Sequence, residues 1–132
     1  MKKIIITPRP FVGKGKVYID KLKSAGYQVE YNNSGCRYSK EELIEKIKDA
    51  NAIITGNDPL SREVIDQAKN LKVISKYGVG LDNIDVDYAN SKDIVVHKAL
   101  NANSISVAEM TILMMLSSSR KYVEIESQAS NG

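Results

Sequence analysis

Tryptophan is absent from this chain of 132 residues, and cysteine, histidine and phenylalanine each occur once. The lone Cys36 excludes an intramolecular disulfide and a thiolate metal site, which fits a reducing, cytoplasmic compartment. Proline occurs only three times, and no apolar run is long enough for a signal peptide or a membrane span. These absences predict a soluble domain with no metal site and no membrane partner.

A large excess of one charge is also lacking. The chain has 19 lysines and arginines against 16 acidic residues, which leaves a net charge of +3. The basic residues are scattered among acidic ones instead of forming a stripe, so they do not predict nucleic-acid binding. With 42% hydrophobic residues, a chain of this length can bury a core as one domain.

Short apolar runs alternate with amphipathic stretches from one end of the chain to the other. We expect five strands, at residues 3–6, 27–31, 52–54, 71–74 and 94–96, with helices between them. A long helix follows, from residue 104 towards Val123. The pattern predicts an α/β, flavodoxin-like domain with a parallel five-stranded sheet and helices on both faces. We assign residues 1–103 to this domain and residues 104–132 to a long C-terminal helix and tail.

Helix starts can be predicted from capping patterns. Ser39 with Glu42 forms a capping box, and Ser106 with Glu109 forms a second one. Between Gly13 and Lys16, the sequence Gly-Lys-Gly-Lys lacks the spacing of a phosphate-binding P-loop, so we expect a solvated turn there.

The loop after the fourth predicted strand is the strongest candidate for a binding site. It contains Gly78 and Gly80 beside Lys76. A dinucleotide fingerprint would need a third glycine where Asn83 stands, and Asp82 would repel a pyrophosphate, so that interpretation is excluded. Backbone N–H groups in such a loop can form a nest for a carboxylate or phosphate. From spacing alone, the commoner alternative is a plain turn in which Asp82 and Asn83 cap the next helix.

Two further features are weaker candidates. His97 is the only histidine, and no acidic residue near it in sequence is placed to orient it, so a structural or exposed role is the more typical one. The last helix carries an apolar stripe that is more typical of a packing surface than of a cofactor site, formed by Met110, Leu113, Met114 and Leu116. We expect these side chains to be exposed in this chain by itself.

Two segments taken together resemble the D-isomer-specific 2-hydroxyacid dehydrogenases. They are LKVISKYGVGLDNID at residues 71–85 and NANSISVAE at residues 101–109, and they are most similar to the D-3-phosphoglycerate dehydrogenase-like branch. Thr7-Pro8-Arg9 and residues 56–60 fit the same family, so the resemblance covers nearly the whole chain. The sequence departs from the family at Lys76, where many members carry Arg, and at Lys98 and Leu100, where Asn and Pro are frequent.

The resemblance implies the substrate-binding part of an NAD-dependent oxidoreductase that acts on the CH-OH group of a D-2-hydroxy acid. Gly78, Val79 and Gly80 would present backbone N–H groups to the substrate carboxylate. Lys76 and Tyr77 would stand beside them. The residues expected near the nicotinamide of NAD are Val79, Asn103 and Ser104.

The resemblance also implies a separate Rossmann domain, which would follow the long helix and carry the G-x-G-x-x-G motif and the catalytic residues. No such motif occurs in these 132 residues. We therefore expect no catalytic residue here, no NAD bound to this chain alone and no turnover by it. Its partners would be a small 2-hydroxy or 2-oxo acid, the Rossmann domain and a second copy in a homodimer. The alternative is a non-enzymatic flavodoxin-like module that binds a small carboxylate or phosphate metabolite.

Overall fold

A computed structural model describes residues 1–131, apart from the side chain of Val12. Its strands are β1 (Lys3–Ile6), β2 (Gln28–Tyr31), β3 (Ala52–Thr55), β4 (Val73–Lys76) and β5 (Val95–Lys98). They form one sheet in the order β2-β1-β3-β4-β5, and every neighbouring pair is parallel. This is the flavodoxin-like strand order, so the predicted sheet is confirmed.

Five helices connect or follow the strands of this sheet. They are α1 (Arg9–Lys14), α2 (Lys16–Ser24), α3 (Lys40–Ile47), α4 (Arg62–Gln67) and α5 (Val86–Ser91). Successive side chains of a strand point to opposite faces, so the isoleucines of β1 serve two cores. Ile5 packs in the core that contains residues of α3, α4 and α5, whereas Ile4 and Ile6 pack with Ile19 of α2. Helices therefore cover both faces, as predicted.

The parallel arrangement brings the carboxyl ends of all five strands to one edge of the sheet. The loops after β1, β2, β3 and β4 consequently meet at that edge, although they are far apart in sequence. Ligands of open α/β sheets bind at this edge.

One of the three predicted helix caps is confirmed. Glu42 N donates to Ser39 Oγ at 3.1 Å, and Ser39 N donates to Glu42 Oε2 at 2.8 Å. The cap at Ser106 was wrong, because α6 (Ser104–Ser119) begins two residues earlier. The cap at Asp82 and Asn83 was also wrong: Asp85 accepts from Tyr88 N at 3.1 Å and caps α5.

The predicted solvated turn at residues 13–16 is replaced by the junction of two helices. Pro10 lies in the first turn of α1, where proline is compatible with a helix because its missing N–H would be unpaired in any case. Gly15 N donates to Phe11 O at 2.6 Å and ends α1. A Cβ on Gly15 would lie 2.3 Å from Phe11 O, so only glycine fits between the two helices.

The chain divides into two compact units, of which one is Met1–Leu100 and the other begins at Asn101. The second unit contains α6 and α7 (Tyr122–Ser130), where one continuous helix was expected. The break falls at Lys121, whose φ of 49° is left-handed, after a run of three serines of low helix propensity.

The apolar stripe predicted on the last helix is exposed, with exposed fractions from 51% to 63% for Met110, Leu113, Met114 and Leu116. This confirms the expectation made for it. No helix within residues 1–131 combines the length and the apolar composition that a membrane span requires.

Candidate functional site

A cavity of about 320 Å³ lies at the carboxyl end of β4. Its lining contains all five residues that were predicted to bind substrate: Lys76, Tyr77, Gly78, Val79 and Gly80. Three residues that were not predicted to bind also line it: Asn57, Asp82 and Asn83. We call it the glycine-loop cavity.

The glycine loop of this cavity has a conformation that depends on Gly78. The φ of Gly78 is +143°, a value that residues with a side chain rarely adopt. Gly78 O accepts from Ala99 N at 3.0 Å, which ties the loop to the end of β5. Within the described part of the chain, the N–H groups of Gly78, Val79 and Gly80 find no acceptor. Three successive backbone donors are therefore available to a ligand.

Lys76 is the last residue of β4, not the start of the loop, because its register continues against Thr55 of β3. The residue is only 7% exposed. Its Nζ donates to Gly56 O at 2.5 Å and to the Oδ1 of Asn83 at 2.7 Å, with Asn57 Oδ1 at 3.4 Å. An ammonium has three hydrogens, so the charge lies in the cavity wall while its donors already have protein partners.

Asn83 completes a link between two loops. Its Nδ2 donates to Gly56 O at 3.2 Å and to Asp58 O at 2.6 Å. Lys76 and Asn83 together hold the loop after β3 against the loop after β4.

A buried carboxylate lies below these loops. Asp58 is 5% exposed, and its Oδ2 accepts from the hydroxyl of Thr7 and, at 3.2 Å, from that of Thr55. Sequence reasoning missed this network. The available signal was a polar residue directly after each of two predicted strands.

Charge around the glycine loop is not of one sign. The exposed carboxylate of Asp82 lies close to the loop, since a Cβ on Gly80 would be 3.3 Å from Asp82 Oδ2. After the loop, Asp85 accepts from Arg62 Nε at 2.8 Å. This hydrogen bond, together with the one from Tyr88 N, lowers the pKa of the Asp85 carboxyl and anchors the start of α5.

The remaining predicted residues are placed as follows. Val79 is 40% exposed. Asn103 precedes the first turn of α6 without a side-chain cap, and Ser104 begins that helix, so their nearness to a nicotinamide stays a prediction. His97 is exposed on β5. Among residues 1–131, no three His, Cys, Asp or Glu side chains gather as a metal site requires.

Most of the chain is similar to proteins of a known family. Residues 11–131 match the family of the D-isomer specific 2-hydroxyacid dehydrogenase, catalytic domain. Over 95 residues the chain is 45% identical to the D-3-phosphoglycerate dehydrogenase of Methanocaldococcus jannaschii. The matched segment covers 71% of this chain and 18% of that protein.

Two solved structures superpose on the chain. The TT0316 protein from Thermus thermophilus does so with a TM-score of 0.83 at 29% identity, covering 98% of this chain and 40% of that one. The NAD+-bound 3-phosphoglycerate dehydrogenase of Entamoeba histolytica superposes with a TM-score of 0.74 at 33% identity. This match covers 88% of this chain and 38% of that one. The chain thus spans less than half the length of each relative.

Proposed function

The chain belongs to the D-isomer specific 2-hydroxyacid dehydrogenase family, and we propose that its glycine-loop cavity binds the carboxylate of a D-2-hydroxy acid or of the matching 2-oxo acid. The observation that carries this proposal is the row of amides at Gly78, Val79 and Gly80, which find no acceptor among the residues that the structure describes. Successive N–H dipoles form a site for an anion, and the nearby ammonium of Lys76 adds favourable charge. Lys76 and Tyr77 complete the substrate-binding set.

The role of these residues is to bind and orient the acid. When NAD is bound in a complete dehydrogenase, it supplies the hydride acceptor. These 132 residues do not fit the pyrophosphate of NAD, because they contain no G-x-G-x-x-G and because the carboxylate of Asp82 lies beside Gly80. Hydride transfer therefore needs further residues of the complete protein, and we expect no turnover by this chain alone.

The complete protein is proposed to be an NAD-dependent oxidoreductase similar to phosphoglycerate dehydrogenase, acting in the cytoplasm without nucleic-acid or membrane partners. We propose that its NAD-binding domain covers the exposed apolar residues of α6. Homodimer formation is a second proposal, tested by gel filtration of the wild type and Met114→Glu. If the wild type is a dimer and Met114→Glu is a monomer, the exposed apolar residues of α6 are covered by a second copy of the chain and not by the NAD-binding domain.

Titration of the ¹⁵N-labelled chain tests the proposed function. D-lactate and pyruvate should shift the amide resonances of Gly78, Val79 and Gly80 with saturation. Methyl D-lactate, which lacks the charge, should shift them far less, and NADH should leave them unchanged. Equal shifts with the acid and its ester, or none with any acid, would contradict the proposal. Tight binding of an unrelated metabolite would favour the non-enzymatic module.

A further inference from the structure

A cavity of about 250 Å³ lies at the amino edge of the sheet, where the strands begin. Lys72, directly before β4, lines this cavity, whereas Lys76, the last residue of β4, lines the glycine-loop cavity. The two cavities therefore lie at opposite ends of one strand. The floor of the new cavity consists of buried core residues, among them Leu71 and Ile94. Three exposed lysines form its rim: Lys69, Lys72 and Lys92. We call it the lysine cavity.

The fold brings these three lysines together from separate parts of the chain. Lys69 lies in the turn between α4 and β4, and Lys92 follows the last residue of α5. Lys72 O accepts from Val95 N at 2.9 Å, which fixes the start of β5 beside the start of β4. The rim of the cavity is thus built on backbone positions that hydrogen bonds and the sheet hold in place.

The positive charge of the lysine cavity is only partly balanced by the protein. Asp66 is the one acidic residue among the described residues that line it. Its Oδ1 accepts from the Tyr88 hydroxyl at 2.5 Å and lies 3.3 Å from Lys92 Nζ, so Asp66 pairs with Lys92. In the part of the chain that the structure describes, Lys69 and Lys72 form no ion pair. Two positive charges are therefore available to an external anion.

Backbone donors accompany these charges. Lys69 and Asn70 are the central residues of a turn that is closed by a hydrogen bond from Leu71 N to Ala68 O at 3.0 Å. Their own N–H groups find no acceptor within residues 1–131. Lys69 therefore contributes both an ammonium group and an available backbone donor to this end of the domain.

We propose that the lysine cavity binds the phosphate group of a small phosphorylated metabolite, at a site separate from the glycine-loop cavity. An ammonium group is a compact charge with three rotatable donors, which suits the several oxygens of a phosphate, whereas the forked geometry that best fits a carboxylate needs arginine. A volume of about 250 Å³ is below that of most drug-sized sites, so the ligand is small. The inference is independent of the proposed function, because none of the described residues lines both cavities.

Titration of the ¹⁵N-labelled chain with inorganic phosphate, phenyl phosphate and benzoate tests this inference. Both phosphates should shift the amide resonances of Lys69, Asn70 and Ile94 with saturation, and added salt should weaken their binding. Benzoate has the same ring as phenyl phosphate but a single charge, so it should bind roughly fivefold more weakly. The amides of Gly78 and Gly80 are followed in the same spectra and report separately on the glycine-loop cavity.

Charge variants locate the effect. Lys69→Gln and Lys72→Gln should each weaken phenyl phosphate binding roughly threefold, and the double variant roughly tenfold. Asp66→Asn should tighten it by about twofold, because it removes a repelling carboxylate and releases Lys92. Such a gain in affinity cannot come from partial unfolding. Lys2→Gln is the matched control, since Lys2 is exposed directly before β1 at the same edge of the sheet, and it should leave the binding constant unchanged.

Three results would overturn the inference. Shifts that grow without saturation, or equal binding constants for wild type and all lysine variants, would mean an adventitious ion only. Phosphate-induced shifts confined to Gly78 and Gly80 would leave the glycine-loop cavity as the anion site in this domain. If Lys69→Gln and Lys72→Gln lower the urea resistance while no phosphate binds near them, these lysines serve only to complement the carbonyl ends of α4 and α5.

Discussion

The substitution Lys76→Met tests whether the ammonium of Lys76 stabilises the loops around the glycine-loop cavity. Methionine keeps a long, unbranched side chain but removes the charge and all three donors. In the native chain these donors contact Gly56 O at 2.5 Å, Asn83 Oδ1 at 2.7 Å and Asn57 Oδ1 at 3.4 Å. The substitution therefore leaves Asn83 Oδ1 without its donor, whereas Gly56 O keeps the hydrogen bond from Asn83 Nδ2 at 3.2 Å.

The size of the effect follows from two opposing contributions. A hydrogen bond to a charged group contributes about 1.5–3 kcal/mol, and the bond at 3.4 Å adds little. Removing the ammonium also relieves the cost of burying it, which offsets part of the loss. We expect the free energy of unfolding to fall by about 2 kcal/mol.

Urea unfolding followed by circular dichroism measures this change. Lys72→Met is the matched control, since Lys72 is exposed and precedes the same strand, and it should change stability by less than about 0.5 kcal/mol. Binding of D-lactate by Lys76→Met should also weaken, because the charge beside the amides is lost. If both variants unfold at the wild-type urea concentration, the ammonium does not hold the loops together, and its role is limited to the ligand.

Two further predictions concern the same loop and the helix after it. Gly78→Ala should lower the free energy of unfolding by about 1–3 kcal/mol and abolish the acid-induced amide shifts, because φ is +143° at this position. Val79→Ala, the control, should retain the shifts. Shifts that persist in Gly78→Ala would contradict the role of that conformation. Because the pKa of Asp85 is lowered by Arg62, its contribution to stability is present above the ordinary aspartate pKa and lost as pH falls through the lowered value. Wild type should therefore unfold at lower urea concentrations as the pH falls below about 4, and Asp85→Asn should show a smaller decrease. The control Asp20→Asn should behave as wild type does. Equal pH dependence for wild type and Asp85→Asn would refute this prediction.

Much of the fold could be predicted because its signals are local. The β-branched run of β1 and the capping box at Ser39 act over a few residues, and both occur as expected. The junction at Gly15 was missed because a pair of glycines is as typical of a solvated turn as of a junction between two short helices. The close approach of Gly15 to Phe11 O is visible only in the folded chain. The break at Lys121 was likewise missed, since its apolar and polar neighbours continue a helical pattern on both sides.

Local sequence is sufficient to predict the strand pattern and the glycine loop, because periodicity and the conformational freedom of glycine are properties of short segments. Which side chains meet at the sheet edge depends on how the whole domain packs. Arg9 and Gly35 lie 26 positions apart and Lys76 and Gly56 lie 20 apart, and no local pattern links either pair. Parallel strands end at one edge, so residues distant in sequence become neighbours there. That is why the glycine loop could be identified in advance and the side chains that meet beside it could not.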